Sequence, residues 1–269
     1  MLRNEGDRLS RVVVCSPGRE YLHVGDLKKH NIVEPADPDR AMEQHDALKS
    51  CLAGFGAHLT NVPELADHPN SVFTRDTALC TPRGYIRLRM GLETRQGEEE
   101  WMSRILDSLG EPFVGEIGAR GTVEGGDVIL AGSVAFVGRS LRTNGKGVEQ
   151  LAAYLTAMDY EVRVVPLPDS ILHLDKALML VGPDRAIYCR GLIPKASLTG
   201  FDAIEVVCAG GTTANVICLG ENEVIVERSN QKVTDELTAE GIVVHELDLS
   251  EFTKGSGGPN CLVLPVERG

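Results

Sequence analysis

Asp127-Val128-Ile129-Leu130, then Ala131-Gly132-Ser133, then Val134-Ala135-Phe136-Val137 reads as two apolar strands joined by a tight turn. A helical segment near Gly147 to Met158 follows, and a third strand at Val162 to Val165. The same order stands upstream: Thr77-Ala78-Leu79-Cys80, a turn at Thr81-Pro82-Arg83-Gly84, Tyr85-Ile86-Arg87-Leu88, then a helix from Glu98 to Leu109 with Trp101, Ile105 and Leu109 inward. Downstream it recurs at Ala177 to Leu180 with Ala186 to Cys189, where Ile193 to Phe201 is too short and too Pro/Gly-broken for a good helix. It recurs again at Asn215 to Cys218 with Val224 to Val226, a helix near Lys232 to Ala239 and a strand at Ile242 to Val244. The last strand, Cys261 to Leu264, has its natural hairpin partner at the other end of the chain, Arg11 to Cys15. After that first strand come a long polar loop, Arg19 to Ala36, of the length used for lids and binding loops, and a helix opened by Asp37-Pro38 and ended by Gly54 and Gly56. A strand–turn–strand–helix–strand module thus appears about five times, about 40–50 residues apart, the period of a radial or stacked repeat. The pattern alone leaves a doubly wound α/β sheet open. No linker or low-complexity tract interrupts it, so a single domain over 1–269 is expected.

Composition narrows the function. A net charge of −12 argues against wrapping nucleic acid. No apolar run is long enough for a bilayer, and the polar N-terminus lacks a signal core. Seven scattered cysteines, an odd number without a CxxC pair, mostly lie in apolar strand-like runs, which is ordinary core usage in a reducing compartment. A cytoplasmic protein, without nucleic-acid or membrane partners, is the expectation. No GxGxxG or P-loop opens a strand–helix turn, so no nucleotide cofactor is indicated. Cys, His, Asp and Glu bind zinc, but the candidates below sit at no short ligand spacing, and no metal is expected.

Polar residues fall at matching points of the repeat. Asp76 precedes the first strand of its unit, Glu124-Gly125-Gly126-Asp127 the next, His173 the third, Thr212-Thr213-Ala214-Asn215 the fourth, and Cys261 opens the fifth after Gly255-Ser256-Gly257-Gly258-Pro259-Asn260. Singly, Asp76 beside Arg75 reads as a surface pair, Glu124 as a turn residue, His173 as a core histidine and Cys261 as a buried thiol. Jointly, modules round an axis would bring a nucleophile, a base and orienting acids into one funnel.

These residues carry a resemblance. Pro69-Asn70-Ser71-Val72-Phe73-Thr74-Arg75-Asp76, Gly121-Thr122-Val123-Glu124-Gly125-Gly126-Asp127, Gly138-Arg139-Ser140-Leu141-Arg142-Thr143-Asn144, Leu172-His173-Leu174 and Gly257-Gly258-Pro259-Asn260-Cys261 resemble the dimethylarginine dimethylaminohydrolases of the guanidine-modifying superfamily, in order and spacing over nearly the whole chain. The resemblance implies a five-bladed α/β propeller (pentein) of ββαβ units round a pseudo-fivefold axis. It implies a hydrolase without cofactor, acting on a small guanidino substrate through a covalent Cys261 S-alkylthiouronium to a ureido product and an amine. His173 would be the acid and base, Glu124 its orienting carboxylate, and Asp76 the guanidinium ligand. Arg89 and Arg142 would hold the substrate carboxylate, with Asn70 at its amino group and Leu22 matching a loop residue at the amino end. The chain departs from the family pattern at Asn70 and Arg75, where Asp and Glu are common. Arg75 beside a guanidinium is repulsive unless it turns away.

Three readings follow. One is a cysteine hydrolase of the C–N bond in a free arginine derivative. The second is an arginine deiminase, dihydrolase or amidinotransferase, although the chain lacks the long insertions of many of these. The third is a propeller binding module without chemistry, which would have no use for Cys, His, Glu and Asp together. A monomer or homodimer is compatible with each.

Overall fold

The computed structural model describes all 269 residues. Its fifteen strands form five three-stranded sheets, each one turn of the repeat. The first sheet holds β3 (Ala78–Thr81), β4 (Gly84–Arg87) and β5 (Phe113–Glu116), with α3 (Glu98–Ser108) crossing from β4 to β5. The second holds β6 (Val128–Ala131), β7 (Val134–Arg139) and β8 (Glu161–Pro166), linked by α4 (Gly145–Thr156). The third holds β9 (Leu178–Leu180), β10 (Arg185–Cys189) and β11 (Asp202–Val206). Its crossover carries only a 3-10 turn at Lys195–Leu198, the weak helix expected there. The fourth holds β12 (Ile217–Gly220), β13 (Glu223–Glu227) and β14 (Val243–Leu247), linked by α5 (Gln231–Ala239). The fifth joins the chain ends: β15 (Leu264–Arg268) pairs antiparallel with β1 (Leu9–Cys15), which pairs parallel with β2 (His58–Val62). In every sheet the middle strand is antiparallel to the first and parallel to the third. This is the five-bladed α/β propeller.

Local chemistry explains the elements. Between β1 and β2 lie α1 (Arg19–Leu22) and α2 (Pro38–Phe55). Asp37 caps α2 by accepting the Arg40 N–H at 3.0 Å, Pro38 occupies the first turn, and Gly56 closes it at φ 100°. Ala41, His45, Leu48 and Leu52 are buried along one face. The innermost strands β3, β6, β9, β12 and nearly all of β15 are buried throughout, and each fully buried Val, Leu or Ile there contributes roughly 1.5–3 kcal/mol. Each blade needs its neighbours to cover it, so the ring holds when it is closed.

Two expectations change. The last strand begins at Leu264, and Cys261 lies instead in a 3-10 turn, Asn260–Leu262. Cys189 and Cys208, read as unpaired core thiols, are joined in a disulfide with Cα atoms 5.4 Å apart. Parallel pairing sets Cys189 opposite Val206 in β11, and Cys208 follows two residues later. The remaining five cysteines are free. No helix is long and apolar enough to cross a membrane.

Candidate active site

Four short 3-10 turns precede innermost strands or, in the fifth blade, β15: Thr74–Asp76, Gly125–Asp127, Leu174–Lys176 and Asn260–Leu262. They meet at one end of the axis. Thr74 Oγ1 donates to the carbonyls of Val13 and Leu262, both at 3.2 Å, and so ties the Asp76 turn to the Cys261 turn. A cavity of about 20 Å³ lies between them, lined among others by Asn70, Asp76, Arg142, His173 and Cys261. That is room for about one water. Asn31, Arg142, Leu172 and Ser256 border both this cavity and a wider outer depression of about 420 Å³, so the two form one funnel.

Close approach of the turns requires glycine. A Cβ on Gly126 would sit 2.7 Å from His173 Nδ1 and 3.0 Å from Asp76 Oδ1. On Gly258 it would sit 2.4 Å from Asn215 Oδ1. The left-handed residue in the strap that carries Cys261 is Ser256, at φ 64°.

His173 is buried, and its Nε2 and Glu124 Oε2 are 2.7 Å apart. Glu124 Oε1 accepts the Gly91 and Leu92 N–H groups, and Arg142 Nη1 stands 3.5 Å away. His173 Nδ1 has no hydrogen-bond partner and lies 3.7 Å from Asp76 Oδ1. Burial alone would push the imidazole pKa down. The carboxylates of Asp76, Glu124 and Asp127 outweigh it and carry the pKa up to about 10. Glu124 goes the other way. Burial would raise its pKa, but the bond to His173 and the charges of His173, Arg95 and Arg142 hold it below the usual carboxylate range. At neutral pH this is an imidazolium–carboxylate pair whose other N–H, beside Gly126 and Asp76, has no hydrogen-bond partner.

Cys261 Sγ lies 3.6 Å from Asp175 Oδ2 and 3.7 Å from Asn215 Nδ2. Burial first and the Asp175 charge second push the thiol up to about 12, so it is protonated at neutral pH. Asp175 Oδ2 also accepts Asn260 Nδ2 at 3.0 Å, while Oδ1 is buried without a partner. The Asn260 N–H donates to Asn215 Oδ1 at 3.0 Å and fixes the turn.

Asp76 Oδ1 accepts the Gly126 N–H, and Oδ2 accepts Arg95 Nη1 at 2.6 Å. Arg95 is buried and also donates to Glu98 and to the carbonyl of Phe73. Asp76, Glu124 and His173 offer three atoms within 4.8 Å of one another, a spacing a metal ion could use. Here Arg95 already holds Asp76 Oδ2 and His173 Nε2 holds Glu124 Oε2, so the donor set fits a proton relay better than a cation.

Of the nine residues singled out in the sequence, the structure gathers Cys261, His173, Asp76, Asn70 and Arg142 on the cavity, with Glu124 directly behind His173. Three others go elsewhere. Arg89 is held by backbone bonds to Val123 and lines a separate depression with Glu99, Glu100 and Glu116. The chain then turns through Glu93–Arg95, and Arg95 reaches the cavity instead. Leu22 packs against the apolar core and does not line the cavity. Arg75 turns away beneath the floor and pairs with Glu5, which removes the expected repulsion. Sequence reading missed Asp175, Arg95, His30 and Asn31. Asp175 was within reach, because it follows His173 by two residues in a unit already singled out. His30 and Asn31 belong to the long polar loop and line the cavity, with the Asn31 carbonyl accepting Ser256 Oγ.

A buried cysteine facing a histidine–glutamate pair, carboxylates and an arginine on a five-bladed propeller defines a guanidine-modifying type of site. The chain belongs to the arginine deiminase family, whose model matches residues 41–207 and 209–268. It is 31% identical over 253 residues to N(G),N(G)-dimethylarginine dimethylaminohydrolase of Pseudomonas aeruginosa, covering 94% of this chain and 98% of that one. It is 30% identical to the Streptomyces coelicolor enzyme of the same name, covering 88% and 90%. A solved structure of the Pseudomonas aeruginosa enzyme with citrulline superposes with a TM-score of 0.83 at 28% identity, covering 96% and 99%. The N-terminal domain of a cyanobacterial arginine dihydrolase, at 21% identity and a TM-score of 0.81, shares the fold.

Proposed function

We propose that this protein hydrolyses a C–N bond of a free, arginine-like guanidino compound, through a covalent intermediate on Cys261. The observation that carries the reading is convergence: a thiol, an imidazolium with an unpartnered N–H and the Asp76 carboxylate border one cavity, with Glu124 and Asp175 directly behind them and an arginine at its outer edge. A guanidinium is cationic, planar and a poor electrophile. Asp76 and Asp175 would bind its N–H groups and align its carbon with Sγ. Bringing that cation beside the thiol favours the thiolate, and the thiol's proton is lost to solvent. Sulfur then bonds to the guanidinium carbon, and the C–N bond to the leaving nitrogen breaks as His173 Nδ1 gives that nitrogen its proton. The product is an S-alkylthiouronium and a free amine. His173, now neutral, takes a proton from water, which adds to the same carbon. The C–S bond breaks, the departing sulfur takes the remaining hydroxyl proton as the C=O forms, and a ureido compound leaves. Glu124 holds the imidazole in one orientation throughout. Arg142, at the funnel's outer edge, suits the substrate carboxylate.

The first substrate to expect is a methylated arginine, as the names of the similar enzymes suggest. One observation favours a second reading, unmethylated arginine. Asp175 carries a buried, unpartnered Oδ1 on the carboxylate whose Oδ2 meets the thiol, and unmethylated arginine offers it more N–H donors than a dimethylated guanidinium does. Purified protein is incubated with dimethylarginine, monomethylarginine and arginine, and citrulline, ornithine, amines and ammonia are quantified. Citrulline with dimethylamine or methylamine supports the first reading, and citrulline with ammonia the second. No product from any of the three overturns the substrate class.

A further inference from the structure

Outside the cavity the chain carries one buried charge pair that the chemistry above does not use, Arg75 with Glu5. Both are almost wholly buried. Arg75 Nη2 donates to Glu5 Oε1 at 2.9 Å, and Nη1 lies in ionic contact with Oε2 at 2.8 Å, so both carboxylate oxygens face the guanidinium. The N-terminal segment that brings Glu5 there crosses the end of the axis opposite the funnel. Asn4 bridges Ala131, the Glu5 N–H donates to the Leu130 carbonyl, Asn4 Nδ2 donates to Pro183, and Arg268 Nη1 donates to the Asp7 carbonyl.

Arg75 does more than neutralise Glu5. Its Nη2 donates to the Val128 carbonyl at 2.6 Å and its Nε to the Gly125 carbonyl at 3.3 Å. These two carbonyls flank Gly125-Gly126-Asp127. That turn is the floor of the site: Glu124 just before it holds His173 Nε2, the Gly126 N–H holds Asp76, and Asp127 Oδ1 accepts the Leu174 N–H next to His173. The backbone of Arg75 itself leads directly into Asp76. A single guanidinium therefore clamps both sides of the segment that positions the acid–base pair, and Glu5 holds the guanidinium in place from the far end of the axis.

We propose that Arg75 and Glu5 form a latch that positions the His173–Glu124 pair and Asp76, so that the N-terminal segment tunes catalysis from the side opposite the substrate. This rests on His173 being the acid and base of the reaction. His173 faces Asp76 from the 74–76 turn and Glu124 and Asp127 from the floor, with Arg95 and Arg142 on the far side of those carboxylates. A floor shifted by a fraction of an ångström changes three of these contacts at once.

The test is the double variant Glu5→Leu with Arg75→Met in the full chain. It removes both charges, so no uncompensated ion is left, but also removes the donors to Gly125 and Val128. Two readouts are taken: kcat and KM against pH, and the His173 imidazole titration by NMR, which needs no substrate. The latch predicts a kcat lower by about tenfold or more with KM within about twofold, and a titration displaced by at least about half a unit, because misplaced positioning contacts cost turnover before binding. Should the double variant not fold, Glu5→Asp is used. It keeps the charge but is one methylene shorter, so the carboxylate is drawn back from the guanidinium, and the same two shifts are expected, smaller in size. Unchanged kcat and an unchanged His173 titration in a folded variant would overturn the latch. A wild-type protein that turns over no guanidino compound would instead overturn the functional reading, and the NMR titration would still decide whether the latch positions His173.

Discussion

The free enzyme pairs a protonated thiol with a protonated imidazole, because burial and Asp175 push Cys261 up to about 12 and three carboxylates carry His173 up to about 10. The thiol has no charge for attack until a cation arrives. Alkylation of Cys261 by iodoacetamide without substrate should therefore be slow at pH 7 and climb steadily past pH 10, followed by peptide mass spectrometry. A plateau near pH 7 would mean a thiolate is already present. Glu124→Gln removes one of the charges that raise His173, so the alkaline limb of the kcat profile should move to lower pH by about one unit or more. The raised imidazole is also a stability statement. Its contribution is fully present below the unfolded value of about 6.5 and is lost as pH rises through about 10. Wild-type Tm should therefore fall between pH 7 and 10 more steeply than that of His173→Gln, and parallel curves would contradict the assignment. At this scale the recurrence of polar residues at equivalent points of the module picked out Asp76, Glu124, His173 and Cys261, all on or behind the cavity, while Asn70 and Arg142 came with the family resemblance. The sequence could not show where Arg89 points, since a strand-like bridge to Val123 sends it outward and a turn three residues long delivers Arg95 instead.

Elements were readable where local signals are strong. Asp37-Pro38 and Gly56 bound α2, and the apolar hairpins fall where alternation with turn residues placed them. The third blade lacks its helix because Pro194 and Gly200 break it. What the chain could not announce was proximity between elements. Cys189 and Cys208 meet because β10 and β11 are parallel neighbours, a pairing no spacing rule reveals. The bond closes a loop over a sequence separation of 19 residues, which by the chain-entropy relation is worth about 3 kcal/mol. Reductant should therefore lower the urea midpoint of the wild type while leaving that of Cys208→Ser, already lower, unchanged. Equal midpoints with and without reductant in the wild type would show that the bond adds nothing.

For the whole molecule the decisive feature is closure of the ring by its two ends. β15 lies against β1, and the Gly269 N–H donates to the Arg8 carbonyl. The period of the modules made this visible before any contact was known, since five hairpins need a partner for the last. A circular permutant joining residues 269 and 1 by a short linker and opening at the exposed Glu221-Asn222 turn should fold with a Tm within about 5 °C of wild type, because no buried backbone is cut. An insoluble permutant would argue that the ring cannot close without the natural order. The central claim, however, is chemical: five blades bring a late cysteine to a flat cationic carbon. The most direct test is the mass of Cys261 in protein quenched with acid during turnover of dimethylarginine or arginine. The account predicts that the peptide carrying Cys261 gains the mass of the substrate less its departing amine, and that Cys261→Ser shows neither adduct nor product. Sustained turnover in Cys261→Ser, or an adduct confined to another cysteine, would contradict it.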